Sequence, residues 1–589
     1  MLTAKTQYNL TNAREYFEEH LSVGDYYDEG QRVAGQWIGK AAEELGLTGK
    51  VRAEEFLRLC ENQHPRTGET LTQRLNTVRM NDGKEAANRR VFYDFTFSPP
   101  KSVSVVALAG PDERIMAAHT QAVRSAMREL EHFAATRVRS GGGHGDRSTG
   151  NVAAALFTHD TSRALDPHLH THCVVFNATF DPVEQRWKAL QNYEMLLARK
   201  FAENVYYHEL ARQLRSFGYR INNHPRGDFQ IEGVSPEICD RFSKRDAEVD
   251  RALAKLLAEK PEFASANIKE LRAKLATQHR TRKQKDLSRA ELRTLWDAQL
   301  SDAERLSLRQ LADRSENIAN PNQRVEIGQA VQWAEDHLFD RNSVVLECQL
   351  WQQALERARA ENFTVAELKE FTHQRHYIRD PEQPNRVTLR EVLSRELEIV
   401  QSVKDGVGSS PALVDDPRPP NPKLDDEQRK ALDALLNTSN TVSLFRGGAG
   451  TGKSFVLREL VAEIQQSGRR VVVLAPQRQQ VVDMESAGFP SPTTIANFLV
   501  KGELAAGAVV VVDEAGQIGG RQMQQLLQLA RERNAQVILS GDTRQHGAVE
   551  ASDALLAIER YPMWAASCAL KVLDPNSHIG TLEFPPGTA

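Results

Sequence analysis

The octapeptide GGAGTGKS at 447–454 constrains the fold more than any other stretch of the chain. It follows the apolar run TVSLF (441–445) and precedes FVLRELVAEIQQ (455–466), whose apolar residues recur at helical spacing. Strand, glycine loop and helix in that order form a cradle for phosphates. The glycines, Gly447, Gly450 and Gly452 among them, let backbone N–H groups close around the anion. Lys453 is placed to reach the β- and γ-phosphates, and Ser454 to hold Mg²⁺. Further short apolar runs stand at 471–475, 509–513 and 536–540 with helical stretches between them. That alternation predicts a parallel, doubly wound α/β sheet.

The ends of those runs carry matching chemistry. VVVVDEAGQI (509–518) closes on Asp513, positioned to hold a metal through water, and Glu514, positioned to polarise an attacking water. ILSGDTRQ (538–545) places Gln545 where a γ-phosphate would be sensed, and LDDEQRKAL (424–432) offers Gln428 to an adenine edge. With LAPQ (474–477), these residues resemble the motor of a superfamily-1 DNA helicase, which implies ATP and Mg²⁺ as ligands. The resemblance runs from 424 to about 555. The residues beyond about 555 resemble no second RecA-like domain, so the motor is expected to be incomplete and unwinding is not expected of it.

A second stretch, THDTSRALDPHLHTHCVVFNATF (158–180), holds four histidines. In a strand, His170 and His172 point to one face and Thr171 to the other. His159, eleven residues before His170 on the preceding strand, can close a three-nitrogen site. Three protein ligands leave a metal open positions for substrate, the pattern of a catalytic site. His168 shares the parity and is a rival ligand, and a set of merely hydrogen-bonded histidines is the plainer alternative. Asp94 stands on the otherwise apolar run FYDFTFS, where a buried carboxylate is costly unless paired with a group such as a histidine or tyrosine. The N-terminus holds Tyr8, Tyr16, Tyr26 and Tyr27 in an acidic, aromatic setting.

An N-terminal tyrosine cluster, YDFTFSPPKSVS (93–104) and HDTSRALDPHLHTHCVV (159–175), followed by a helicase-like motor, resembles the conjugative relaxase–helicases of the MobF class. The resemblance implies a histidine–hydrophobe–histidine nicking fold. It implies His159, His170 and His172 as ligands of a divalent metal (Mg, Mn or Zn) and Asp94 as the acid beside the tyrosine. Tyr16 is implied as the first nucleophile, with Phe17 beside it, and Tyr26 and Tyr27 as the second pair. The implied activity is site- and strand-specific nicking at a plasmid origin of transfer, leaving a 5′-phosphotyrosine. Implied partners are single-stranded DNA, a coupling protein and a type IV secretion machinery. A rolling-circle initiator shares this chemistry. An ATP-driven translocase with a DNA-binding N-terminal half, or a non-catalytic DNA-binding product, are readings of other classes.

The net charge of −4 excludes a globally basic DNA-binding protein, so DNA contacts must be local. Lys101 and the cluster HRTRKQK (279–285), with Arg280, Arg282 and Lys283, are the candidates, although the cluster read by charge alone could equally be a solvated helix face. The five scattered cysteines exclude a disulfide framework and a cysteine zinc site. No apolar leader or membrane-spanning run is evident, so the cytoplasm is the expected compartment.

The expected architecture is α/β and multidomain. A nicking domain at 1–300 would have an antiparallel sheet with helices. A helical region at 301–404 and a Pro/Gly-rich linker at 405–423 would lead to an incomplete RecA-like domain at 424–589. Within the first domain, 92–110 reads as two strands about a Pro-Pro break, 112–139 as a helix and 140–151 as a flexible loop. Further on, 342–363 reads as one amphipathic helix.

Overall fold

Strand alternation sets the frame of the N-terminal half. The structure, a computed structural model, describes residues 1–8, 10–16, 35–73, 78–81, 84–87, 89–110, 112–140, 143–162, 164–224, 227–259, 267–268, 271–272, 275, 289–311, 325–447, 452–541, 555, 558 and 568–570. Five antiparallel strands, β1 (Leu2–Gln7), β2 (Gln36–Ile38), β3 (Phe92–Phe97), β4 (Ala154–Thr161) and β5 (Pro167–Phe176), lie in the order β1-β3-β5-β4-β2. The histidine strand β5 is therefore central. From Pro167 to His172 it alternates buried and half-buried residues, and from Cys173 onward it is buried throughout. Such alternation is what a period of two produces where one face meets a core and the other lines an opening.

On the front face Phe92, Phe157, Val174 and Phe176 pack against Ala13 of α1 (Leu10–Tyr16) and Phe56, Leu59 and Cys60 of α2 (Ala53–Cys60). The Phe56 ring meets Phe176, Phe157 and Phe92 edge-on at 5.0, 6.0 and 6.2 Å. Each such pair adds about 0.5–1.5 kcal/mol beyond its buried area. The rear face is covered by α3 (Lys101–Leu108), α4 (Glu113–Glu131) and α5 (Arg199–Ser216), with Phe97 against Tyr206 at 5.3 Å.

Four local expectations are corrected. The helix expected over 112–139 ends at Glu131, and Ala135–Ser140 is a strand. The run after Pro99-Pro100 is the helix α3, not a second strand. Its residues from Ser102 to Leu108 are all buried, so an apolar run too short to show a period took the form its surroundings could enclose. Ser102 and Ser104 then accept hydrogen bonds from the backbone N–H groups of Ile231 (3.1 Å) and Leu169 (3.2 Å). The glycine-rich 140–151 stretch is not a loop throughout. Gly143–Ser148 pairs antiparallel with Ala135–Ser140, and Arg147 anchors the hairpin on the fully buried Asp181 at 2.8 Å. Glycine weakens a strand without forbidding the ladder, because the ladder is made by backbone groups. The stretch 342–363 is split into the short strand Val345–Leu346 and the helix Glu347–Arg357, and a capping box of Thr364 and Glu367 opens a new helix, Val365–His373.

The chain divides into two compact units, Met1–Ala334 with Cys348–Arg375, and Glu335–Glu347 with His376–Ala589. In the first, the returning segment is tied to α5. His208 Nε2 bonds the Phe363 carbonyl at 2.8 Å, and the buried Arg359 donates to Asn204 Oδ1 and the Gly227 carbonyl. The second contains a six-stranded parallel sheet of β6 (Val442–Gly447), β7 (Val471–Ala475), β8 (Thr493–Thr494), β9 (Val509–Val512), β10 (Gln536–Gly541) and β11 (Cys568–Leu570), ordered β8-β7-β9-β10-β6-β11. Leu413 and Val414, from the Pro/Gly-rich run, belong to the core between this sheet and the helices α6 (Asp426–Leu436) and α7 (Lys453–Gln466). Among the described residues no helix is long and apolar enough to cross a membrane.

Candidate active site

Register brings the histidines together. His159 on β4 faces His170 on β5 directly, and Thr96 on β3 faces His172. The ring centres of His159, His170 and His172 form a triangle with sides of 5.2, 5.2 and 5.5 Å. Three imidazoles spread tetrahedrally around one ion at about 2.0–2.1 Å would have ring centres roughly 5 Å apart. The spacing therefore fits a shared ion. As the side chains stand, no group of three or more His, Cys, Asp or Glu among the described residues is placed to hold a metal ion. The ring spacing follows from strand register, whereas the direction of each ring nitrogen changes with small side-chain rotations.

Hydrogen bonds select the tautomers. His170 Nδ1 lies 2.9 Å from the His168 carbonyl, which can only accept, so Nδ1 carries the hydrogen and Nε2 the lone pair. His172 Nδ1 lies 2.9 Å from Asp94 Oδ2, with the same consequence. A ligand histidine held through its other nitrogen by a carbonyl or carboxylate is the arrangement that orients imidazoles toward metals. Burial, with the nearby His168, His172 and His159, pushes His170 well below its usual pKa, so it is neutral and able to ligate. His170 and His172 thus both present Nε2 as the lone-pair nitrogen.

Asp94 joins this group to the N-terminus. The Tyr16 hydroxyl, at the end of α1, donates to Asp94 Oδ2 at 2.5 Å and lies 3.3 Å from His172 Nδ1. The carboxylate is buried, and burial alone would raise its pKa. The electrostatic interaction with the His172 ring and hydrogen bonds from His172 and Tyr16 outweigh that effect and hold it below the usual range. A tyrosine, an ionised carboxylate and three histidines are therefore contiguous.

The other expected residues divide. The His168 ring lies tilted against that of His170, with centres 4.7 Å apart. Burial, followed by Lys101, pushes its pKa down to about 3. Lys101 begins α3 and turns its ammonium to the Pro167 carbonyl at 3.1 Å, beside the entrance of β5. Tyr26, Tyr27, Gly450, Gln545, Arg280, Arg282 and Lys283 lie outside the described residues.

In the second unit Gly447 ends β6, and Gly452 caps α7 at φ +80°, a conformation that favours glycine. A Cβ on Gly452 would meet Gln428 Nε2 at 2.5 Å, so Gln428 lies against the loop. Lys453 is buried with its ammonium 3.8 Å from Glu514, and Ser454 follows in the first turn of α7. Asp513 Oδ1 accepts from Ser540 Oγ at 3.0 Å.

Two supporting residues were missed in the sequence. Thr96 Oγ1 lies 3.0 Å from His172 Nδ1 and 3.3 Å from Asp94 Oδ1, and its position two residues after Asp94 on one strand face was a usable signal. Ser540 carried no comparable signal, because its partner comes from a different strand.

Comparison with known proteins gives concordant matches. Residues 10–303 match the TrwC relaxase family, and residues 423–567 match the AAA domain family. A multifunctional conjugation protein TraI of Escherichia coli is 38% identical over 250 residues, covering 39% of this chain and 13% of that protein. TraI of Escherichia coli strain K12 is 28% identical over 575 residues, covering 89% of this chain and 30% of the relative. The chain thus spans less than a third of either relative. A solved structure of the conjugative relaxase TrwC in complex with oriT DNA, in its metal-bound form, is 30% identical and covers 51% of this chain and 97% of its own, with a TM-score of 0.43.

Proposed function

Since this chain belongs to the TrwC family of conjugative relaxases, we propose that it nicks one DNA strand at an origin of transfer and holds the cut end covalently. The observation that carries the proposal is the Tyr16–Asp94–His172 contact at the edge of the three-histidine triangle. It puts an oxygen nucleophile, a proton acceptor and a cation-binding group within one hydrogen-bonded set.

Tyr16 Oη attacks the scissile phosphorus in line, and its proton passes to Asp94, the group to which it already donates. A Tyr16 Oη–P bond forms and the P–O3′ bond breaks. The departing O3′ takes up a proton from water, to which Asp94 returns the one it received, so a free 3′-hydroxyl leaves and the 5′-phosphate stays on the tyrosine. A divalent metal held by His159, His170 and His172 would supply positive charge to the non-bridging phosphate oxygens as negative charge builds there. The phosphotyrosine conserves a phosphodiester-type bond, so the strand can be rejoined without ATP. Tyr26 or Tyr27 would serve a second transfer.

Residues 1–300 would form the nicking module, with Lys101, Arg280, Arg282 and Lys283 as phosphate contacts. Residues 424–589 would bind ATP and Mg²⁺ through Gln428, the 447–454 loop, Asp513, Glu514 and Gln545. The protein would act in the cytoplasm on single-stranded origin DNA, and a coupling protein and type IV secretion machinery would receive the loaded strand.

The test uses a single-stranded oligonucleotide spanning an origin of transfer, incubated with the chain and Mg²⁺ or Mn²⁺ but no ATP. The expected product is a 5′-linked protein adduct, mapped by mass spectrometry to Tyr16 and absent from Tyr16→Phe. An adduct formed by Tyr16→Phe at the wild-type rate would transfer the first step to another residue. An absolute need for ATP hydrolysis would instead favour a translocase.

A further inference from the structure

His119 plays no part in the mechanism above, yet it stands immediately behind it. It lies on α4, is fully buried, and makes a hydrogen bond through each ring nitrogen. Nδ1 lies 2.8 Å from the Tyr206 hydroxyl on α5, and Nε2 lies 2.8 Å from Thr171 Oγ1. Thr171 Oγ1 is in turn 2.9 Å from Thr158 Oγ1 on β4. Thr171 is the residue between His170 and His172, and Thr158 the one before His159. The two threonines face each other in register, as His159 and His170 do one step along.

The rear network therefore clasps the two strands that carry the three histidines, at the point where those histidines emerge on the front. Burial pushes the His119 pKa down to about 3, so the imidazole is neutral, with one donor and one acceptor nitrogen. A chain of hydroxyl, imidazole, hydroxyl and hydroxyl can then satisfy every member with a single direction of donation. Networks satisfied in this way hold one geometry, whereas a buried member left without a partner costs about 1–3 kcal/mol. A pleated strand moves as a unit, so displacing Thr171 displaces His170 and His172 with it.

We propose that His119 is a positioning residue that sets the spacing of the metal-binding histidines from the opposite face of the sheet, through Thr171 and Thr158. The proposal rests on the three-histidine reading of the site. Partners that orient metal ligands typically change metal affinity by about 10–100-fold when removed, and one acting through a strand belongs at the lower end.

The test measures Mn²⁺ affinity of the full chain by titration calorimetry, alongside oligonucleotide cleavage as a function of Mn²⁺. His119→Leu is expected to weaken Mn²⁺ binding about tenfold and to raise the Mn²⁺ requirement for cleavage equally, with near-normal rates at saturating metal. His119→Gln, whose amide can stand in for Nε2 toward Thr171 as donor or acceptor, should recover most of the affinity. If His119→Leu does not fold, Thr171→Val removes only the hydroxyl and should give the same loss. Wild-type Mn²⁺ affinity in folded His119→Leu or in Thr171→Val would overturn the proposal, as would a loss in His119→Gln equal to that in His119→Leu. His172→Ala separates the two readings. If it binds Mn²⁺ like wild type, the metal site itself is wrong. If it loses Mn²⁺ while Thr171→Val does not, only the positioning role fails.

Discussion

Replacing Asp94 with asparagine keeps the size of the side chain and removes its charge. Oδ2 accepts from both Tyr16 (2.5 Å) and His172 Nδ1 (2.9 Å), while Oδ1 lies 3.2 Å from His172 Nδ1. Asparagine would place its oxygen at the Oδ2 position, because the amide there would oppose two donors. Both bonds then survive as neutral ones. A hydrogen bond to a charged group is worth about 1.5–3 kcal/mol and a neutral one about 0.5–1.5, so the pair loses about 2–3 kcal/mol. If that loss falls on the transition state, nicking slows about 30–150-fold, and this is a lower bound because asparagine also cannot take up the Tyr16 proton.

A second effect adds to this. The new amide occupies the Oδ1 position, where its N–H faces His172 Nδ1–H. That opposition weakens the preference for Nδ1–H that the carboxylate imposes, so the tautomer with its hydrogen on Nε2, which cannot ligate through it, gains population. Metal affinity should fall at least about tenfold. The assay pairs single-turnover cleavage of an origin oligonucleotide with Mn²⁺ titration. Tyr16→Phe is the control, expected to lose cleavage and keep metal affinity. Asp94→Asn that cleaves within about threefold of the wild-type rate and binds Mn²⁺ normally would refute the reasoning, because neither the charge nor the tautomer would then matter.

Other outcomes rest on the same geometry. Gly452→Ala would put a methyl 2.5 Å from Gln428 Nε2 at φ +80°, so ATP binding, followed with a fluorescent analogue, should weaken about tenfold or more for a cost of about 1.4 kcal/mol or above. Arg359→Ala would strip a buried side chain and leave Asn204 and the Gly227 carbonyl without their donor. Thermal unfolding should show a loss of about 3 kcal/mol, and a chain ending at 303 should be less stable than one ending at 375. Glu304 has its pKa lowered from 4.5 to about 2, chiefly by the hydrogen bond from Arg241 and then by the Ser301 backbone. A depressed carboxylate stabilises above its unfolded pKa and stops doing so as pH falls through the folded one. The gap in thermal midpoint between wild type and Glu304→Gln should therefore be full above about pH 5, shrink through the window between 4.5 and 2, and vanish below it.

Much of the candidate site was legible from spacing. Strand parity placed His170 and His172 on one face, and the cost of a lone buried carboxylate marked Asp94 as needing a partner. The phosphate loop was readable because its glycines, lysine and serine are contiguous and flanked by an unmistakable strand and helix. Local chemistry decided those features, and local chemistry is written in adjacent residues. What the sequence did not determine is what depends on distant neighbours. The run after Pro100 is helical because it is enclosed on all sides, a condition that no period within eight residues reveals. His159 meets His170 only because β4 and β5 pair in one register out of many, and Tyr16 reaches Asp94 only because α1 packs on the same face. His119 shows the limit most clearly. It sits mid-helix among alanines, and only the packing of that helix behind the histidine strand brings its ring to Thr171, because hydrogen-bond partners far apart in sequence are chosen by tertiary fit and not by spacing.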